Sequence, residues 1–158
     1  MGFTLKGKAM SGETDLIKLY SARILELAAS MPRVGRLAHA DASVQKRAPL
    51  CGSTVTVDII TDGDVITDYA ADVKACALGQ AAASVVAAHI VGCTRDEVRT
   101  ARDALKVMLS SDGPAPPAPF EELDVLRAAA SFPNRHASIL LSLDALVDAM
   151  DEVQASCA

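Results

Sequence analysis

Two cysteines stand where a thiol could do chemistry. Cys51 lies in Pro49-Leu50-Cys51-Gly52-Ser53, and Cys76 opens the run that follows Asp72-Val73-Lys74-Ala75. Thiolates are nucleophiles and ligands for soft or borderline metals. Neither cysteine belongs to a CxxC pair, so spacing alone is not a metal signature. On residue types, metal ligation, a reactive thiol and a small buried side chain all stay open. Cys93, in a turn between helices, and Cys157, near the C-terminal end, read as structural, as do His39 and His89. His136 stands just before the expected last helix, in Asn134-Arg135-His136-Ala137-Ser138. No GxSxG, GxxxxGK[ST], HExxH or GxGxxG occurs to suggest another enzyme class.

The elements that must position these thiols can be read from periodicity. Residues 54–60 (TVTVDII) and 65–73 (VITDYAADV) are β-rich and flank the turn Thr61-Asp62-Gly63-Asp64. Val55, Val57 and Ile59 alternate with polar residues, the pattern of an antiparallel strand with one buried face. One strand leaves Cys51 and the other returns to Cys76, so the hairpin brings together two thiols 25 residues apart. The run from Asp72 to Gly92 then becomes almost wholly Ala, Val and Ile, broken by Gly79, Gln80, Ser84 and His89. A helix apolar on nearly every side belongs at the centre of a domain. At about fifteen residues it falls short of the roughly twenty needed to span a bilayer. Cys76 opens it, where unpaired N–H groups and the helix dipole favour a negative thiolate.

Around this centre, a first helix is expected over Thr14 to Ser30, with Thr14 as N-cap and Ile17, Tyr20, Ile24 and Leu27 as its apolar stripe. A connector leads to an edge strand near Ser43 to Ala48, closed by Pro49. Thr94 and Glu97 form a capping box for a helix with Val98, Ala101, Leu105 and Met108 inward. Residues 113–119 (GPAPPAP) form a stiff surface loop within the domain. A short helix from Phe120 to Ala130 and a last helix near Ala137 to Val153 complete the chain. The expected fold is α+β: a small antiparallel sheet of about three strands packed against several helices on one side, with the site at the sheet edge where the central and last helices begin. Residues 14–153 make one domain between a flexible N-terminus, 1–13, and a tail, 154–158.

Composition narrows the partners. The 158 residues carry a net charge of −5 with both signs interspersed and only five aromatics, which leaves no basic stripe or stacking platform for nucleic acid. Residues 1–10 lack the apolar core of a secretory signal, so the expected location is cytoplasmic, with no membrane partner. There, cysteines are expected as thiols or metal ligands rather than disulfides. Oligomeric state is not legible.

From residue 14 to about residue 152 the order of these features resembles the IscU/NifU-type iron–sulfur cluster assembly scaffolds, including the SufU-like branch. The likeness rests on the leading helix, Cys51-Gly52 before a hairpin with an Asp-Gly turn, Cys76 opening an Ala/Ser-rich helix, and Arg135-His136-Ala137-Ser138-Ile139-Leu140. The family places its first cysteine in Cys-Gly-Asp and its third in a segment similar to Lys-Ile-His-Cys-Ser-Ile-Leu. The resemblance carries Cys51 and Cys76 to the first two family cysteines and His136 to the histidine before the third. Ser53 takes the place of the aspartate. Ala137 takes that of the third cysteine, or Ser138 does with a one-residue slip, and neither supplies the thiolate that the family associates with accepting sulfur from a cysteine desulfurase.

The resemblance implies a scaffold or carrier, not an enzyme, that binds iron or an iron–sulfur cluster transiently through Cys51, Cys76 and His136. Gly52, Ser53, Arg135 and Ser138 would support the site. It implies a cysteine desulfurase and iron–sulfur acceptor proteins as partners. Two alternatives stand beside it: a zinc-binding sulfur-transfer protein with a persulfide-accepting cysteine, and an interaction module that keeps the fold alone.

Overall fold

A computed structural model describes residues 19–157. The expected N-cap Thr14 and the stripe residue Ile17 lie outside these. Leu19 is helical, and after a break at Tyr20 and Ser21 the helix α1 (Ala22–Ala29) lies within the expected span, capped where the Ser21 hydroxyl accepts the Ile24 N–H at 3.3 Å. Tyr20 therefore precedes the helix, while Ile24 and Leu27 are buried on its inner face.

Three strands follow in sequence order, β1 (Ala42–Arg47), β2 (Thr54–Asp62) and β3 (Val65–Lys74), in an antiparallel sheet of order β1-β2-β3. The alternation in β2 sets the register. Val44, Val57 and Ala71 align across the sheet, as do Ala42, Ile59 and Tyr69, so one face is continuous and apolar. That face carries the helices: Lys46, on the same side, reaches Asp148 of the last helix at 2.8 Å.

On the opposite face Asp58 is fully buried yet ionic. It accepts from Arg36 Nε at 2.7 Å and Nη2 at 3.1 Å, from the Leu37 amide at 2.9 Å, and from the Ser43 hydroxyl across the β1–β2 pair. These bonds fasten the connector of residues 33–41 over the sheet. The connector also pairs with the free edge of β3, Gly35 N–H to Ala71 C=O at 2.8 Å.

The central helix α2 (Ala77–His89) has Cys76 as N-cap, and residues 81–87 are buried all round. Its small side chains let α1, the sheet and the last helix approach together. Helix α3 (Arg95–Ser111) starts on the complete Thr94/Glu97 capping box and stops where Asp112 turns left-handed at φ +53°. A 3-10 helix, Glu121–Ser131, occupies the place of the expected short helix.

The last helix, α4 (Pro133–Cys157), starts four residues earlier than expected and runs four residues further. Proline at the opening position loses no intrahelical hydrogen bond and already holds a helical φ, so Pro133 begins the helix instead of delaying it. Helix α4 crosses β1 and β2 and packs against α2 and α3. One core joins sheet and helices, from Ile24 through Val57 and Val85 to Leu146. Among the described residues no helix is long and apolar enough to cross a membrane.

Candidate functional site

The β-hairpin places both thiols at one end of the sheet. Thr54 pairs with Lys74, so Cys51, three residues before one strand, and Cys76, two residues after the other, leave the sheet at the same edge. Cys51 sits in a tight loop closed by Ala48 N–H to Ser53 C=O at 2.8 Å and Gly52 N–H to Ala48 C=O at 2.9 Å. Gly52 has φ +70°, a left-handed conformation that most side chains resist. The loop exposes Leu50 and Cys51 and turns Ser53 inward, where it is 4% exposed.

Two hydroxyls join the thiols. Cys51 Sγ lies 3.3 Å from Ser53 Oγ, Ser53 Oγ lies 3.0 Å from Ser138 Oγ, and Ser138 Oγ lies 3.6 Å from Cys76 Sγ. Ser138 comes from the second turn of α4 and is 2% exposed. Its approach depends on Gly79 in the first turn of α2. A Cβ there would lie 2.5 Å from Ser138 Oγ, closer than packed atoms allow, and 3.1 Å from the Ser138 carbonyl oxygen, a tight contact. Gly79 was visible in the sequence as an interruption of an apolar run; its partner was not.

The electrostatics separate the cysteines. Hydrogen bonds from the Ser53 hydroxyl and amide pull the Cys51 thiol below its usual pKa, against the smaller opposing effect of burial. Cys93 is buried, donates to the His89 carbonyl at 3.2 Å, and is pushed up to about 11 by desolvation and by Glu97. It is an inert core thiol.

His136 lies inside the first turn of α4, not ahead of it, because the helix starts at Pro133. Its Nε2 meets the Ala129 carbonyl at 2.9 Å. A carbonyl only accepts, so Nε2 carries the proton, and in the neutral ring Nδ1 keeps a free lone pair. The structure thus brings Cys51, Ser53, Ser138 and Cys76 together, with His136 tied to Ala129. Among the described residues no three His, Cys, Asp or Glu side chains are gathered as a metal site. Gly52 shapes the Cys51 loop, and Arg135 is half-buried beside His136.

A loop cysteine before a hairpin and a second cysteine capping a buried small-residue helix can be compared with known proteins. The model of the NifU-like N-terminal domain matches residues 19–137, three quarters of the chain. The chain belongs to this family.

Among NifU-like relatives, the iron–sulfur cluster assembly scaffold protein IscU of Streptococcus pyogenes serotype M1 is 25% identical over 137 residues, which cover 87% of this chain and 86% of that protein. The crystal structure of a nitrogen-fixing NifU-like protein (N-terminal) from Brucella abortus superposes with a TM-score of 0.87 at 44% identity, covering 89% of this chain and 98% of its own. FiSufU from Fervidobacterium islandicum AW-1, assigned as a cluster-assembly scaffold for the SUF system, shares the fold at a TM-score of 0.77 and 22% identity, over 85% of this chain and 98% of that one. The NifU-like fold is therefore α+β with a three-stranded antiparallel sheet, as the residue pattern implied.

Proposed function

We propose that this NifU-like chain is a scaffold or carrier in iron–sulfur cluster assembly, holding iron or a cluster as transient cargo on Cys51 and Cys76. The observation that carries this is the placing of two thiols at one sheet edge of this fold, joined through Ser53 and Ser138. Thiolates suit iron in clusters, and exposure of Cys51 leaves one side of the cargo open for transfer. Family membership and the named scaffold relatives support the same reading.

His136 is the third ligand in this proposal, through Nδ1. A metal-binding histidine commonly donates its other N–H to a backbone carbonyl, and the Ala129 contact is of that kind. Three protein ligands leave a position for a partner's side chain or water, which favours release. The partners are a cysteine desulfurase, as sulfur source, and acceptor proteins.

Anaerobic reconstitution with ferrous iron and sulfide tests the proposal. The intact protein should develop a visible thiolate-to-iron charge-transfer band, and Cys51→Ala and Cys76→Ala should each lose it. No band from the intact protein, with or without a desulfurase, would overturn it.

The exposure and lowered pKa of Cys51 favour a second reading, sulfur transfer with zinc as the held metal. The Cys51 thiolate would attack the outer sulfur of a desulfurase persulfide. A Cys51–S–SH persulfide forms, and the desulfurase cysteine leaves as thiolate. Mass spectra of the zinc-loaded protein after incubation with a desulfurase should then show one added sulfur on Cys51; its absence would remove this reading.

A further inference from the structure

Ser53 and Ser138 are buried hydroxyls, and a buried hydroxyl is costly unless it is hydrogen bonded. Each has one proton to donate and lone pairs to accept. Three contacts link the four atoms of the chain Cys51 Sγ, Ser53 Oγ, Ser138 Oγ and Cys76 Sγ. A ligating thiolate sulfur has no proton and only accepts. When both sulfurs ligate, two hydroxyl protons must serve three contacts. Sending one hydroxyl proton to each sulfur gives both thiolates a side-chain donor and gives up the bond between the oxygens.

The scaffold holds both hydroxyls independently of the cargo. Ser53 is fixed by the Ala48–Ser53 backbone bond that closes the loop. Ser138 is fixed by the rigid second turn of α4, pressed against Gly79. Ser53 stands two residues from Cys51, and Ser138 reaches Cys76 from 62 residues away, so the two hydroxyls come to the sulfurs from different elements.

We propose that Ser53 and Ser138 are positioning residues of the cargo site, each donating one hydrogen bond to a ligating sulfur, Ser53 to Cys51 and Ser138 to Cys76. This rests on the reading of the two cysteines as ligands. The hydrogen bonds draw electron density from the thiolates, which raises the reduction potential of a bound cluster and moves sulfur-to-metal charge transfer to shorter wavelength. The tight Gly79–Ser138 contact is then a device for aiming a donor at Cys76.

The test compares the intact protein with Ser53→Ala, Ser138→Ala, the double variant and Ser53→Thr. Each is loaded anaerobically with iron and sulfide and, separately, with Co²⁺ alone; thermal melting confirms the folded state. Each alanine should move the charge-transfer band to longer wavelength and lower the cluster potential, with the largest shift in the double variant and recovery in Ser53→Thr. A purely structural role would alter melting without these ordered shifts. If intact protein and variants load with coincident bands and potentials, the cysteines remain ligands and the serine proposal falls. If the intact protein takes up neither probe, the ligand reading fails and this proposal with it.

Discussion

The hydroxyls of Ser53 and Ser138, 85 residues apart in the chain, meet at 3.0 Å between the β1–β2 loop and the start of α4. Each also touches a cysteine, so the contact ties together the two elements that flank the candidate site.

Gly79→Ala should disturb this junction. In an exposed helix alanine would gain about 1 kcal/mol over glycine. Here its Cβ would meet Ser138 Oγ at 2.5 Å and Ala75 Cβ at 2.9 Å, with the Ser138 carbonyl behind. Overpacking of this kind costs about 1–3 kcal/mol. Denaturant melts should show a net loss, and an unchanged or raised midpoint would show that the two helices slide apart freely.

Cys51 should alkylate at lower pH than an ordinary thiol. Its pKa is lowered from that of an ordinary thiol, first by hydrogen bonds from Ser53. Peptide-resolved iodoacetamide rates should place its midpoint below that of the same cysteine in an unfolded peptide, and Ser53→Ala should move it upward. Cys93, buried and pushed up to about 11, should stay unlabelled in the folded protein. A Cys51 midpoint indifferent to Ser53→Ala would contradict the hydrogen-bond account.

Asp58 should make stability depend on acid. Burial raises its pKa, but Arg36, Ser43 and the Leu37 amide outweigh burial and hold it below the usual carboxylate range. A folded pKa below the unfolded value, about 3.9, stabilises the protein above that value and stops doing so as pH falls through the folded one. Asp58→Asn should therefore lose about 1–3 kcal/mol at neutral pH, with the deficit shrinking in strong acid. A deficit equal at both extremes would mean that packing, not charge, holds the connector.

Tyr69→Phe should cost nothing. The ring is buried beneath the helices, and its hydroxyl has no hydrogen-bond partner among the described residues. Removing an unpaired buried hydroxyl leaves stability unchanged or raises it by about 1 kcal/mol. A comparable loss in the melt would reveal a partner for that hydroxyl.

The local parts of this fold were written in short stretches of sequence. Period-two alternation at Val55, Val57 and Ile59 specified a strand, and Thr61-Asp62-Gly63-Asp64 the place of its turn, which the structure narrows to Gly63-Asp64 because Thr61 and Asp62 pair with β3. Thr94 and Glu97 specified a helix start, because both bonds of a capping box lie within four residues. Even the nearness of Cys51 and Cys76 followed from one antiparallel hairpin, whose strands are matched by register.

The rest depended on contacts between distant elements. Ser21 caps α1 after a break at Tyr20 within the expected helix, and Pro133 opens a helix it could equally have delayed, since both residues permit either role until neighbours are packed. His136 turns to Ala129, across the break between the 3-10 helix and α4, which no pattern within either element encodes. The meeting of Gly79, Ser53 and Ser138 is the clearest case. Sequence supplied a glycine and two hydroxyls, but only the docking of α2, α4 and the β1–β2 loop decides which atoms touch, because that distance is set by the shape of the whole core.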